Sequence, residues 1–233
     1  MFKLIMSLFI LNMTLLADTK QALDAFKKQD HALAFKLYEK SAKADDSTAQ
    51  NALSYLYFNG YGTKKSVKNG LIWLKKSANN KNAVAQYDLG MMYLTGHNTK
   101  QDSLSAFKWL EKSSNMGNLN AQYNLALMHY RGDSTDINVT KSAQLLESSA
   151  LGGNEEAKKN IGRIYMQLLK FDKAAEWLEK NAKDGDEGAY YFLAEIYCEQ
   201  DKFKKAKKWA KKAIDSGNAD AELLWMKYNL EKY

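Results

Sequence analysis

Ser105 and Lys108 are the residues of this chain that could pair a nucleophile with a base. They lie three residues apart in SAFK, so on a helix the hydroxyl and the amine share a face. Serine enzymes that are acylated by β-lactams use Ser-x-x-Lys together with a Lys-Thr-Gly strand. The sequence contains no Lys-Thr-Gly, and a lysine-rich chain contains Ser-x-x-Lys pairs by chance. The pair alone therefore does not indicate catalysis.

Metal and phosphate chemistry find no support in the sequence. The three histidines, His31, His97 and His129, are scattered, and Cys198 is the single cysteine. Zinc sites require several His or Cys ligands at short spacing. Glycine-rich phosphate loops and Gly-x-Ser-x-Gly elbows are also absent from the sequence. We expect no catalytic residue, no metal and no cofactor.

A short polar motif, DINVT, surrounds Asn138. Its form, acid-x-Asn-x-Thr, resembles the extended sequon of some bacterial oligosaccharyltransferases, which predicts glycosylation of Asn138. The alternative is helix capping, because Asp136, Asn138 and Thr140 are all residues that favour helix N-termini.

The elements that must position these residues repeat along the chain. Alanines recur at intervals of 36, 36, 36, 32 and 32 residues, and aliphatic residues follow four positions later. The alanines are Ala49, Ala85, Ala121, Ala157, Ala189 and Ala221, and the aliphatic residues are Leu53, Leu89, Leu125, Ile161 and Leu193. A fixed period of this length indicates stacked supersecondary units.

Each unit contains two amphipathic helices. In the first helix the lead alanine and the residues four, five and eight positions later form one apolar face. The second helix carries Trp73, Trp109, Leu145, Trp177 and Trp209, and we expect Trp109 to be buried. The drop from 36 to 32 residues falls in the connection between the two helices, where Gly60, Gly96 and Gly132 mark longer loops. The pattern predicts an all-α fold.

The stretch AQYDLGMMYLTG, followed by DSLSAFKWLEKSSNMGN, resembles the Sel1-like repeat. The pattern of that repeat is A-x-x-x-L-G-x-x-Y-x-x-G, then D-x-x-x-A-x-x-W, then A-x-x-G. We expect a degenerate helix pair at 18–48, three 36-residue Sel1-like repeats at 49–156, two 32-residue units similar to tetratricopeptide repeats at 157–220, and a capping helix at 221–233. The resemblance implies a right-handed superhelical solenoid of antiparallel helix pairs with a concave binding face.

Some positions of each first helix point away from its packing face: those two, six, nine and ten residues after the lead alanine. The residues there that we predict to form a concave peptide-binding groove are Asn51, Tyr55, Tyr87, Tyr123, Arg131, Arg163, Tyr191 and Glu195. Tyrosine supplies contact area at low entropic cost, and arginine can bind a carboxylate with two hydrogen bonds. The alternative is that these tyrosines are the solvent-side rim of the core.

Residues 1–17, MFKLIMSLFILNMTLLA, predict a signal peptide that is cleaved between Ala17 and Asp18. Lys3 precedes a mainly apolar run that is short for a membrane span of about 20 residues; the alternative is an uncleaved anchor. We therefore expect a periplasmic or secreted protein. Cys198 then has no intrachain partner. It lies at a repeat position that is otherwise bulky and apolar, which favours a packed structural thiol.

The formal net charge is +7. Seven lysines fall within residues 202–212, around an apolar stripe that includes Phe203 and Trp209, and they are expected on a solvated helix face. The alternative is weak contact with an anionic membrane surface. No nucleic-acid partner is expected, because the chain has only two arginines, Arg131 and Arg163.

Together these features predict an exported, monomeric scaffold. Its groove is expected to bind a carboxylate-rich protein or peptide. The alternative is a β-lactam-binding protein or weak β-lactamase. It is implied by the cysteine-rich secreted Sel1 proteins, whose paired cysteines this chain lacks.

Overall fold

The computed structural model describes residues 17–233, and in that range it contains helices and connecting turns but no strand. The first described helix, α1, covers residues 17–27. Residues 1–16 of the predicted signal peptide lie outside the described residues. None of the described helices combines the length and apolar character that a membrane span requires.

Twelve further α-helices and a 3₁₀ helix follow α1 in the described chain. They are α2 (His31–Lys43), α3 (Ser47–Asn59), α4 (Val67–Asn79), α5 (Ala83–Thr95), α6 (Ser103–Asn115), α7 (Leu119–Arg131), α8 (Val139–Leu151), α9 (Glu155–Gln167), α10 (Phe171–Lys183), α11 (Gly188–Glu199), α12 (Phe203–Asp215), α13 (Ala219–Lys227) and the 3₁₀ helix Leu230–Lys232.

The helices form two compact units, of which the first ends at Ala121 and the second begins at Gln122. In the first unit α3 packs against α4 and α5 against α6, and α2 and α4 also contact the helix that follows them. In the second unit each helix from α8 to α12 packs against the next. The predicted all-α solenoid of antiparallel helix pairs is confirmed.

The repeated small and aliphatic residues form the core, as predicted. All six lead alanines are at most 1% exposed, and the five aliphatic residues four positions later are at most 2% exposed. The first unit buries them in two clusters, one around Leu53 and one around Leu89. The second unit buries Ile161 and Leu193 in one continuous cluster.

Trp109 departs from the prediction, because it is only partly buried. Its ring packs against the cluster around Leu89, while the Nζ atom of Lys112 lies 4.0 Å from the ring centroid. The adjacent Leu110 is fully buried instead. Since consecutive residues of a helix point about 100° apart, α6 directs Leu110 to the core and Trp109 to its edge.

The recurring Gly-Asn pairs connect one repeat to the next. Gly117 and Gly217 adopt a positive φ of 83°, which suits a residue without a side chain. The asparagine that follows caps the next helix: Oδ1 of Asn118 accepts from Ala121 N at 2.9 Å, and Oδ1 of Asn218 accepts from Ala221 N at 3.0 Å. The sequence thus encodes each turn and each helix start together.

Buried polar side chains tie successive helices to one another. Gln50, after the lead alanine of α3, donates from Nε2 to Ala42 O of α2 at 3.1 Å, and Gln86 of α5 donates to Ala78 O of α4 at 3.0 Å. These bonds satisfy carbonyl groups at the ends of α2 and α4 that have no partner within their own helix. They fix each helix pair to the one before it.

Loop length differs between the two kinds of repeat as expected. The α3–α4 and α5–α6 connections cover 60–66 and 96–102, whereas α9–α10 and α11–α12 are joined by 168–170 and 200–202. The four residues that the shorter repeats lack are therefore missing from this connection.

Candidate binding pockets

The two arginines of the chain line one cavity in the second unit. This cavity, called here the arginine pocket, has a volume of about 300 Å³. It is lined by Leu127, Tyr130, Arg131, Ser142, Leu146, Asn160, Arg163, Ile164 and Gln167. Most of these residues lie on α7 and α9, the first helices of successive repeats. The structure thus brings together Arg131 and Arg163, which the sequence places on equivalent faces.

The arginine pocket is positive and supplies hydrogen-bond donors. Arg131 and Arg163 are both exposed, and no carboxylate is present among the described residues that line the pocket. Arg163 donates from Nη2 to Asn160 Oδ1 at 2.9 Å, and its Cζ atom lies 5.7 Å from the ring centroid of Phe192. These contacts orient the guanidinium group and leave further N–H donors available.

Ser142 adds a second polar feature to the arginine pocket. The residue is fully buried, and its Oγ atom has no hydrogen-bond partner in the described chain. An unpaired buried hydroxyl is costly, and because Ser142 is 0% exposed, a group in the pocket can bind it only if a neighbouring side chain moves. The sequence pattern does not point to Ser142, because its position on α8 belongs to the core-facing side of a second helix.

A second cavity lies in the first unit, with a volume of about 660 Å³. We call it the Asp88 pocket. It contains Asn51 and Tyr55 of α3, which were predicted as binding residues, and it also contains Asp88 of α5, which was not. Burial raises the pKa of Asp88 to about 6. Asp88 could have been noticed as the single charged residue of α5.

The two pockets use equivalent positions of the repeat. Asp88 and Asn160 both lie three residues after a lead alanine, and Met91 and Arg163 both lie six residues after it. The Asp88 pocket therefore has an acid and a thioether where the arginine pocket has an amide and a guanidinium. The same backbone arrangement presents opposite charges in the two units.

The remaining predicted groove residues lie outside the two pockets. Tyr87 is partly buried in the first unit. Tyr123 and Tyr191 pack against the core of the second unit. Glu195 is partly buried as well, and burial together with nearby Glu199 raises its pKa. The structure therefore joins Asn51 with Tyr55, and Arg131 with Arg163, but does not place all eight residues in one cavity of either unit.

Ser105 participates in the cap of α6. Its Oγ donates to Asp102 Oδ2 at 2.6 Å, and its backbone N–H donates to Asp102 Oδ1 at 3.1 Å. These hydrogen bonds lower the pKa of Asp102. The hydroxyl is therefore held by the carboxylate that begins the helix.

Asn138 is the N-cap of α8, and its Oδ1 accepts a hydrogen bond from Lys141 N at 2.8 Å. The residue is exposed. The structure thus contains the capping interaction that the motif suggested as an alternative, and glycosylation of Asn138 stays a prediction.

Cys198 is buried in the core of the second unit, as expected for a structural thiol. Burial, followed by the charge of Glu199, raises its pKa to about 11. Among residues 17–233, no group of three or more His, Cys, Asp or Glu side chains is arranged to hold a metal ion.

The lysines of α12 are mostly exposed and several lie over aromatic rings. Nζ of Lys212 is 4.9 Å from the ring centroid of Trp209, and Nζ of Lys205 is 4.9 Å from that of Tyr197. Such stacking covers apolar ring surface while the charge stays in solvent. It gives these lysines a role in packing.

Solved structures with similar folds include an antigen with an SLR fold and a Sel1 repeat protein. The c5321 protective antigen of uropathogenic Escherichia coli is 25% identical, with a TM-score of 0.74 over 91% of this chain. This chain spans 49% of that antigen. A Sel1 repeat protein of Oxalobacter formigenes is also 25% identical, with a TM-score of 0.71 over 87% of each chain.

A more distant neighbour is YrrB, described as a TPR protein with an unusual peptide-binding site. It is 17% identical, with a TM-score of 0.55 over 82% of this chain and 97% of YrrB. No curated protein matches the chain significantly.

The family model of the Sel1 repeat matches six segments of the sequence: 21–46, 47–82, 83–118, 119–154, 163–186 and 188–218. These segments cover most of the chain, and they include the lining of the Asp88 pocket and, except for Asn160, that of the arginine pocket. Sel1 and TPR repeats are scaffolds that generally mediate protein interactions. The chain belongs to the Sel1 repeat family.

Proposed function

We propose that this protein binds a peptide segment of a partner protein through a carboxylate group held in the arginine pocket. The observation that carries the proposal is the placement of Arg131 and Arg163 around one cavity that no carboxylate lines. Arginine binds carboxylates with two parallel hydrogen bonds, and two arginines can hold both oxygens of one carboxylate.

The size of the pocket agrees with this ligand. A volume of about 300 Å³ is at the lower end for ligand pockets, which suits an acidic side chain or a chain end. Leu127 and Ile164 supply apolar walls for the carbon atoms of such a group.

The family supports a binding role. Sel1 repeats are interaction scaffolds, and the fold neighbour YrrB is described as having a peptide-binding site. The hydrolase alternative gains no supporting observation, because the Ser105 hydroxyl is engaged by Asp102 in a helix cap.

The proposed setting is the periplasm or the extracellular space, and the proposed state is a monomer. Residues 1–17 support export through their signal-peptide pattern. Cell fractionation and amino-terminal sequencing test this: an exported, processed protein begins at Asp18, whereas a protein that retains Met1 contradicts cleavage.

The binding proposal is tested by capture of partners from a periplasmic extract, followed by mass spectrometry and titration of the identified peptide. Arg131→Ala combined with Arg163→Ala is expected to weaken binding of that peptide at least tenfold. Loss of one charge-assisted bond typically costs about 1.5–3 kcal/mol. Circular dichroism should report an unchanged helical fold, because both side chains are exposed.

Lys207→Ala combined with Lys208→Ala is the matched control. It removes the same number of positive charges from α12, away from the arginine pocket, and should leave affinity nearly unchanged. If the lysine variant loses the partner while the arginine variant binds normally, α12 is the binding surface and the proposal is wrong.

A further inference from the structure

The Asp88 pocket contains an unpaired carboxylate in largely apolar surroundings. Asp88 is partly buried, and burial alone perturbs its carboxylate, with no hydrogen-bond or charge partner among residues 17–233. No lysine or arginine is present among the described residues that line the pocket, and His97 at its margin is exposed. The described lining of the pocket therefore supplies no lysine or arginine to pair with the carboxylate.

The walls of the pocket are aromatic and apolar. Phe26 of α1, Tyr55 and Phe58 of α3, and Met91 and Met92 of α5 all line it. Tyr55 is 51% exposed, and its ring lies 6.1 Å from that of Phe26 in an edge-on arrangement. A mainly apolar and aromatic cavity with a few polar groups is typical of a ligand-binding site.

The Asp88 carboxylate and the aromatic rings of the pocket together favour a positively charged ligand. A desolvated carboxylate is costly unless it is paired, and the faces of aromatic rings attract ammonium and guanidinium groups. An acidic ligand would be repelled by Asp88, while a neutral apolar ligand would leave the carboxylate unpaired.

We propose that the Asp88 pocket binds a lysine or arginine side chain of a partner protein, together with the apolar side chains next to it. The volume of about 660 Å³ exceeds what one basic side chain fills, so adjacent apolar groups must occupy the rest. Because Sel1 repeats mediate protein interactions, the occupant is a protein segment. This site is separate from the arginine pocket and does not depend on the function proposed for it.

The test uses the full chain labelled with ¹³C at its methionine methyl groups, whose signals from the pocket are assigned with Met91→Leu and Met92→Leu. The probes are acetylated, amidated tripeptides of the sequence Phe-X-Leu, in which X is Lys, norleucine or Glu. The Lys peptide is expected to shift the Met91 and Met92 signals and to bind at least tenfold more tightly than the other two.

Asp88→Asn is the decisive variant, since it removes the charge and preserves the shape. It should lower the affinity for the Lys peptide at least tenfold and change the affinity for the norleucine peptide less than threefold. Tyr55→Leu, at a half-exposed position, should lower the affinity for the Lys peptide several-fold. Arg131→Ala with Arg163→Ala should leave the shifts of the Met91 and Met92 signals with the Lys and norleucine peptides unchanged, so failure of one pocket can be distinguished from failure of the other.

Three outcomes would overturn the proposal. Equal affinity for the Lys and norleucine peptides would make the pocket an apolar site without charge selection. Unchanged Lys-peptide binding in Asp88→Asn would exclude the carboxylate. Binding of n-hexylammonium as tight as that of the Lys peptide would assign the pocket to small amines.

Discussion

Arg163 donates a hydrogen bond to Asn160, 2.9 Å away and one helical turn earlier on α9. The neutral amide restrains the guanidinium group without neutralising it, so the arginine pocket keeps its positive charge. At the equivalent position of α5 the chain has Asp88, and three residues later it has Met91 instead of an arginine. Equivalent first helices therefore present arginines in one pocket and a carboxylate in the other.

Asn160→Asp should weaken binding of an acidic peptide to the arginine pocket about tenfold. The new carboxylate would pair with Arg163 and compete with the ligand for its donors. Titration of the captured peptide measures the effect. Asn160→Ala serves as the control and should lower the peptide affinity less than threefold. Equal losses of affinity in the two variants would show that competition for Arg163 is not the cause.

Asp88→Asn should stabilise the protein at pH 8 and have little effect at pH 4. Burial raises the pKa of Asp88 from 3.8 to about 6, so the folded state holds the proton more tightly than the unfolded state. The contribution of Asp88 to the free energy of unfolding is therefore most favourable below about pH 4 and is lost as the pH rises through 6.

The shift corresponds to at most about 3 kcal/mol, and contact with solvent reduces this to roughly 1–2 kcal/mol. Urea denaturation of both proteins from pH 4 to pH 8 measures the difference. A stability difference that does not change across this range would contradict the raised pKa.

Leu110→Ala should destabilise the fold by about 2–5 kcal/mol, because it leaves a cavity in the core. Trp109→Ala should cost less, about 1–3 kcal/mol, since its ring lies at the edge of the helix beneath Lys112. Lys108→Ala, at an exposed position, should change stability by under ~0.5 kcal/mol. Denaturation curves rank the stabilities of the three variants. A larger loss of stability in Trp109→Ala than in Leu110→Ala would show that α6 turns Trp109, and not Leu110, toward the core.

Purified protein should not hydrolyse nitrocefin. Ser105 donates its hydroxyl hydrogen to Asp102 within a helix cap, and this hydrogen bond lowers the pKa of Asp102, which makes the carboxylate a poor base for activating the hydroxyl. Ser105→Ala should therefore change only helix stability, by about 1 kcal/mol or less. Turnover that survives purification and disappears in Ser105→Ala would establish the hydrolase alternative.

The sequence alone was sufficient to predict the helix pairs and much of their core. Ala85 and Leu89 recur at a fixed period, and helical geometry places them on one face whatever lies around them. The same geometry placed Arg131 and Arg163 on equivalent faces of successive first helices. Each of these inferences requires only the spacing of residues within a helix and between repeats.

Only the tertiary structure decided how deep each side chain lies and which side chains share a cavity. Asp88 belongs to a pocket because α1, α2 and α4 contribute apolar residues around it, and no spacing within α5 specifies that. Trp109 lies at the edge because the rotation of α6 about its axis is set by packing against α5. Burial and charge pairing depend on contacts between helices. The periodic pattern therefore predicts on which face of its helix a side chain lies, but not which residues of other helices surround it.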